Sequence, residues 1–213
     1  MSNELVPQDV GGVLANTEEF NSVISSGDYL SRFQLFGSKS NAVAEQKIGV
    51  GHYGVVKDDV ITDLGEEVDA VIITWRSKAV QTGTDFLISH DVKNEVFQKI
   101  KALSAVQDSG CMYGPEFLLW IPDPGIFTAY HMNSKTARRE AKKVGPLIGK
   151  AATFKCRLID PPASKFKWHG PVVIPCSAPL SVPDENTLRE VATKFRNPEN
   201  PEPEAAPDDS RAR

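Results

Sequence analysis

Val68-Asp-Ala-Val-Ile-Ile-Thr-Trp75 is the strongest strand signal in the chain. Its centre is β-branched, and such side chains favour an extended backbone. The uninterrupted Val-Ile-Ile run predicts a strand that is buried on both faces. At its end, Trp75, Arg76 and Lys78 combine an aromatic group with two cations and form one candidate binding cluster. The alternative is that Trp75 belongs to the core.

Shorter strands are expected on both sides of this one, separated by glycine and proline turns. They cover residues 29–36, 47–56, 60–64, 116–121, 126–132, 151–160, 164–168 and 172–174. Helical spacing predicts helices from Asp91 to Leu103, over 135–144 and over 187–195. The chain is therefore expected to be mainly β with a few helices, an α+β protein whose turn spacing suits a small OB-like barrel or a sandwich.

Three segments of different composition divide the chain. Residues 1–26 are expected to form a loose N-terminal arm with a short helix over 17–24. Residues 27–196 are expected to form a single strand-rich domain. Residues 197–213 are rich in proline and acidic side chains, cannot bury apolar surface, and are predicted to be disordered.

Composition excludes several functional classes. Cys111, Cys156 and Cys176 are widely spaced with no CxxC pair, which argues against a zinc finger or a disulfide framework and favours reduced thiols. No apolar run approaches the ~20 residues that a membrane span needs, so no membrane partner and a cytoplasmic location are expected. The sequence contains no cofactor-binding motif, so no cofactor is expected.

The basic helix, residues 135–144, is the clearest functional feature. Its cations follow the i, i+3, i+4, i+7, i+8 spacing that places side chains on one face. They are Lys135, Arg138, Arg139, Lys142 and Lys143. Ser134 is positioned to cap this helix and Gly145 to end it. Because like charges at this spacing repel, a bound anion would relieve the helix.

Basic and aromatic residues continue downstream of this helix. The cations are Lys155, Arg157, Lys165 and Lys167, and Trp168 is interleaved with them. Proteins that bind single strands combine a cationic track for phosphates with flat aromatic faces for bases. A solvated basic face is the usual explanation of an isolated basic helix, and the adjoining basic strands within a chain of net charge -4 make a binding surface an equal alternative.

Motifs for catalysis are weak. The four histidines lie far apart, and neither a phosphate-binding loop nor a GxSxG motif occurs. The carboxylates between Asp58 and Asp69 could serve a metal-dependent nuclease, although acidic turns between strands are the commoner explanation. We therefore expect a protein that is not an enzyme.

The arrangement resembles phage single-stranded DNA-binding proteins. The resemblance lies in Val71-Ile-Ile-Thr-Trp-Arg76, the basic helix, and the strands around 154–157 and 165–168. It implies an OB-like barrel, a role in DNA replication or recombination, and recruitment of replication proteins by the acidic tail. The basic ending Ser-Arg-Ala-Arg213 departs from the acidic, apolar tip of familiar bacterial tails.

Sequence-tolerant, non-catalytic binding of single-stranded DNA is the resulting functional hypothesis, with RNA as an alternative ligand and homo-oligomerisation left open. Two other classes remain as alternatives. One is a structural or assembly protein whose basic face meets an acidic partner, and the other is the nuclease.

Overall fold

The computed structural model describes residues 30–83, 86–106, 108–162 and 166–197. The expected N-terminal arm with its helix over 17–24 lies outside these residues. So do Lys165, the start of the strand predicted over 164–168, and the acidic segment from residue 198 onward.

Nine strands and four α-helices are present in the described part. The strands are β1 Ser31–Leu35, β2 Tyr53–Lys57, β3 Val60–Gly65, β4 Glu67–Gln81, β5 Leu87–Ser89, β6 Cys111–Ile121, β7 Ile126–His131, β8 Ala151–Ile159 and β9 Trp168–Pro175. The helices are α1 Asn41–Ala44, α2 Glu95–Leu103, α3 Lys135–Val144 and α4 Glu185–Arg196, and a 3₁₀ turn, Gly145–Leu147, follows α3. The expected mainly β, α+β class is confirmed. No helix in these residues is long and apolar enough to cross a membrane.

All strands belong to one sheet in the order β3-β2-β1-β7-β6-β4-β8-β9, with β5 paired to the far end of β4. Only the β1–β7 pairing is parallel within the described residues. No pairing joins β3 to β9 there, so the sheet is open and the expected OB-like barrel does not close. Helix α3 covers the free edge of β9, where the Val173 N–H donates to a carboxylate oxygen of Glu140 at 3.0 Å.

A cluster of aromatic rings packs β1 and β2 against β8 across this open sheet. Phe33 stacks on Tyr53 with ring centroids 4.9 Å apart, and its ring meets Phe154 edge-on at 5.5 Å. The Tyr53 hydroxyl donates to the carbonyl of Lys155 at 2.9 Å. These contacts hold the β1–β2 end of the sheet against β8, although no backbone pairing joins them.

Helices α3 and α4 pack on opposite faces of the sheet. Ala137 and Val144 of α3 belong to the same buried cluster as Phe117. Phe195 of α4 packs with Leu118, the next residue of β6. Because successive strand residues point to opposite faces, this pair defines an α3 face and an α4 face.

Strand β4 is longer and less buried than its sequence predicts. It spans 15 residues and alternates between buried and partly exposed positions, with Ile72 buried and Val71 and Ile73 only half-buried. The prediction of burial on both faces is therefore wrong. Helices α3 and α4 each cover only part of the sheet, which leaves Trp75 on the α3 face 47% exposed.

Two other boundaries differ from those predicted from the sequence, each for a local reason. Helix α2 begins at Glu95 rather than Asp91, because the Asn94 side chain accepts the Val96 N–H at 2.8 Å and acts as its N-cap. Strand β9 runs through Pro171 without the predicted interruption. An edge strand tolerates proline, since the missing N–H is not needed by a neighbouring strand.

Candidate nucleic-acid interface

Helix α3 is held in place by a cap at its first turn and by contacts of a buried glutamate. The Ser134 hydroxyl accepts the Ala137 N–H at 3.1 Å and caps the helix, as expected from the sequence. Glu140 is buried, accepts the Val173 N–H and pairs with Lys143 at 2.9 Å. One of the five cations is thus compensated within the helix, and the other four face two separate hollows.

The first hollow, here named the Trp75 groove, lies on the α3 face between α2, α3 and the β4–β6 pair. Its volume is about 620 Å³. Aromatic side chains form much of its wall, with Trp75 directly opposite Phe117 in the strand register. Its cations are Lys101, Arg138 and Lys142. No carboxylate is among the described residues that line it.

Tyr113 lies between two of these cations. The Arg138 guanidinium sits 4.4 Å from the Tyr113 ring centroid, and the Lys101 ammonium sits 5.8 Å from it. Arg138 also donates to the carbonyls of Tyr113, at 3.1 Å, and of Asn133. Arg138 is therefore held in place by the fold, whereas Lys101 and Lys142 are exposed and can reach a ligand.

The second hollow, here named the Trp168 cleft, lies on the other flank of α3, against β9. Its volume is about 480 Å³. Lys135 and Arg139 supply its cations, and Ser134, Thr136, Trp168 and His169 complete the lining. The indole N–H of Trp168 donates to the Thr136 hydroxyl at 3.2 Å, which orients a ring that remains 39% exposed.

Arg76 and Lys78 do not lie with Trp75. They point to the α4 face, where Arg76 Nε and Lys78 Nζ lie 2.7 Å and 2.6 Å from the two carboxylate oxygens of Glu116. Arg76 also donates to the Phe195 carbonyl at 2.8 Å. Burial opposes ionisation, but the two cations hold the pKa of Glu116 down to about 2. Both cations therefore pair with a carboxylate inside the fold.

The downstream basic residues are dispersed. Lys155 pairs with Glu67 at 2.8 Å, and Lys167 pairs with Asp160 at 2.7 Å. Arg157 is exposed and lies opposite Gly170 on β9, two residues from Trp168. Among the described residues, the structure thus groups Trp75 with Arg138 and Lys142, and Trp168 with Lys135 and Arg139.

Sequence reasoning did not find Phe97, Lys101 and Tyr113, which also line the Trp75 groove. The period-two spacing of Tyr113, Pro115 and Phe117 was a readable signal for one face of a strand. Their position beside Trp75 depends on the β4–β6 register, which the sequence alone does not specify.

Three of the carboxylates between Asp58 and Asp69 have separate partners, and Glu67 is the one paired with Lys155. Asp63 bonds to the His52 ring at 2.9 Å and accepts the Gly65 N–H at 2.8 Å. Asp69 accepts from the Thr153 hydroxyl. Within the part of the chain that is described, no three His, Cys, Asp or Glu side chains are arranged to hold a metal ion.

No protein-family model matches the chain, and no curated protein sequence or solved structure matches it either. The geometry of the two hollows is therefore the basis for a functional proposal.

Proposed function

We propose that this chain is a non-catalytic, sequence-tolerant single-stranded DNA-binding protein that acts in the cytoplasm. The carrying observation is the Trp75 groove, in which an exposed indole lies beside three cations and, among the described lining residues, no carboxylate. In this proposal one base stacks on Trp75, and Lys101 and Lys142 contact the adjoining phosphates.

A single strand fits this groove better than a duplex. Stacking on Trp75 needs an exposed base face, and in a duplex the faces are covered by neighbouring base pairs. Arg138 supports the same chemistry indirectly, because it fixes the Tyr113 ring in the groove wall. The lysines neutralise phosphates without needing a particular base.

Tolerance of sequence follows from the lining. Most of the groove surface is apolar, from exposed side chains such as Trp75 and Val92. Every base presents a π-face to such a surface, whereas base discrimination requires several hydrogen-bonding groups aimed at the base edge. Oligo(dT), an RNA oligonucleotide of matching length and a duplex are therefore the ligands to compare.

The test is a titration of labelled oligo(dT) at low salt, followed by fluorescence anisotropy. Stacking on one aromatic side chain contributes about 1–3 kcal/mol, so Trp75→Ala should weaken binding by roughly 5- to 150-fold. Trp75→Phe keeps a flat ring and should restore much of the affinity.

Phe86→Ala is the matched control, because Phe86 is an aromatic residue 60% exposed that lines neither hollow. The proposal fails if the wild-type protein binds no oligonucleotide at low salt, or if Trp75→Ala binds as Phe86→Ala does. Binding of an acidic polypeptide in place of DNA would favour the assembly-protein alternative.

A further inference from the structure

Helix α3 forms a ridge between the Trp75 groove and the Trp168 cleft. Arg138 and Lys142 line the groove on one flank, and Lys135 and Arg139 line the cleft on the other. Each pair is four residues apart, so each follows its flank along the helix axis. One helix therefore presents two cations to each of two hollows.

The two hollows share the same chemistry. Each contains one partly exposed indole, Trp75 or Trp168, beside two cations of α3. The described lining of the cleft, like that of the groove, contains no carboxylate. A flat π-face beside two cations suits one base and its neighbouring phosphates.

The Trp168 cleft is also shaped by the fold rather than by loose surface side chains. The hydrogen bond from the indole of Trp168 to Thr136 ties β9 to α3. Gly170 packs closely there, since a Cβ on it would lie 2.8 Å from the Thr136 methyl group. Beyond the cleft, Arg157 extends the positive charge along β8, across from Gly170.

We infer that the Trp168 cleft is a second nucleotide subsite, and that one DNA strand crosses α3 from the Trp75 groove into it. This inference rests on the proposed function and adds a path and a minimum length to it. A helix with its side chains is about 10–12 Å across. At the ~3.4 Å per nucleotide of a stacked B-form strand, about three nucleotides cross the ridge, and an extended strand needs fewer. At most about five nucleotides therefore fill both sites, and a trimer fills only one.

The three tryptophans allow a direct test. In Trp75→Phe, the emitting residues are Trp168 and the buried Trp120, whose indole N–H bonds to the Ser181 carbonyl. Unlabelled oligo(dT) of two, three, five and eight nucleotides is titrated while tryptophan emission is recorded. We expect saturable quenching of Trp168 by the octamer, at concentrations that match its anisotropy binding curve.

Charge reversal tests the same site through affinity. Wild-type protein should bind the octamer at least tenfold more tightly than the trimer. In Lys135→Glu/Arg139→Glu, octamer affinity should fall towards that of the trimer. Trp168→Ala should show the same loss of length dependence without a change in charge. Lys47→Glu/Lys57→Glu is the control for charge, because these lysines are exposed and line neither hollow.

The outcomes separate the two proposals. If the octamer binds through Trp75 but Trp168 is not quenched, and Lys135→Glu/Arg139→Glu matches its control, the second subsite is refuted and the proposed function stands. If no oligonucleotide binds the wild-type protein, both are refuted. Length-dependent affinity that is lost in both cleft variants supports the path across α3.

Discussion

Replacing Glu116 by glutamine should destabilise the fold strongly, because it leaves two cations without their counter-charge. Glu116 is 2% exposed and contacts both Arg76 and Lys78 through its carboxylate oxygens. Glutamine keeps the size of the side chain but removes its charge. Breaking a buried ion pair in this way typically costs about 3–5 kcal/mol, since the remaining charge is desolvated and unpaired.

The lowered pKa of Glu116 indicates a similar contribution to the free energy of unfolding. It falls from an ordinary 4.5 to about 2 in the folded chain. A carboxyl whose pKa is lowered by folding stabilises the protein above its unfolded pKa, and this contribution is lost as the pH falls through the folded pKa. A difference of that size corresponds to about 3 kcal/mol, present above pH 4.5 and lost towards pH 2.

Urea unfolding followed by circular dichroism measures the cost of the substitution. At pH 7, Glu116→Gln should lower the free energy of unfolding by about 3–5 kcal/mol. The control Glu67→Gln removes an exposed partner of Lys155 and should cost less than about 1 kcal/mol. A cost for Glu116→Gln no larger than that of the control would refute the reasoning.

Two further predictions concern the same sheet. Burial lowers the pKa of His131 from 6.5 to about 4, so the wild-type protein should lose about 3 kcal/mol of stability as the pH falls from 6.5 to 4. In His131→Gln this loss should be absent, and the melting temperature measured against pH shows whether it is. Gly114→Ala should destabilise by several kcal/mol, because its Cβ would lie 2.3 Å from the Met132 carbonyl oxygen. Gly145→Ala is the matched control in urea unfolding, because its Cβ would lie more than 4 Å from every described residue beyond its own chain neighbours and helix. Equal effects of the two alanines would contradict the close packing.

Features that depend on local pattern were predictable from the sequence. The basic helix spans Lys135–Val144 as expected, and its cap Ser134 was identified correctly. Its spacing, capping residue and terminating glycine all lie within a dozen residues. The existence of the central strand was predictable for the same reason, although its length was not.

Features that depend on pairing between distant strands were not predictable. The β4–β6 register places Trp75 opposite Phe117, and only that register builds the Trp75 groove. Period-two alternation separates Trp75 from Arg76 and Lys78, but it does not tell which face α3 leaves open. The open form of the sheet was not predictable either, because closure depends on whether an edge is paired, and α3 occupies the edge of β9.

Salt dependence of binding is the most direct test of nucleic-acid recognition by the Trp75 groove. The logarithm of the association constant for oligo(dT) is measured against the logarithm of salt concentration, for wild-type protein and for Lys101→Gln/Lys142→Gln. Each phosphate contact contributes about 0.7 to the slope for a single strand, so losing two contacts should reduce its magnitude by about 1.4. Lys47→Gln/Lys57→Gln should leave it unchanged. A slope near zero in the wild-type protein, or equal slopes in wild type and Lys101→Gln/Lys142→Gln, would contradict the proposed function of the groove.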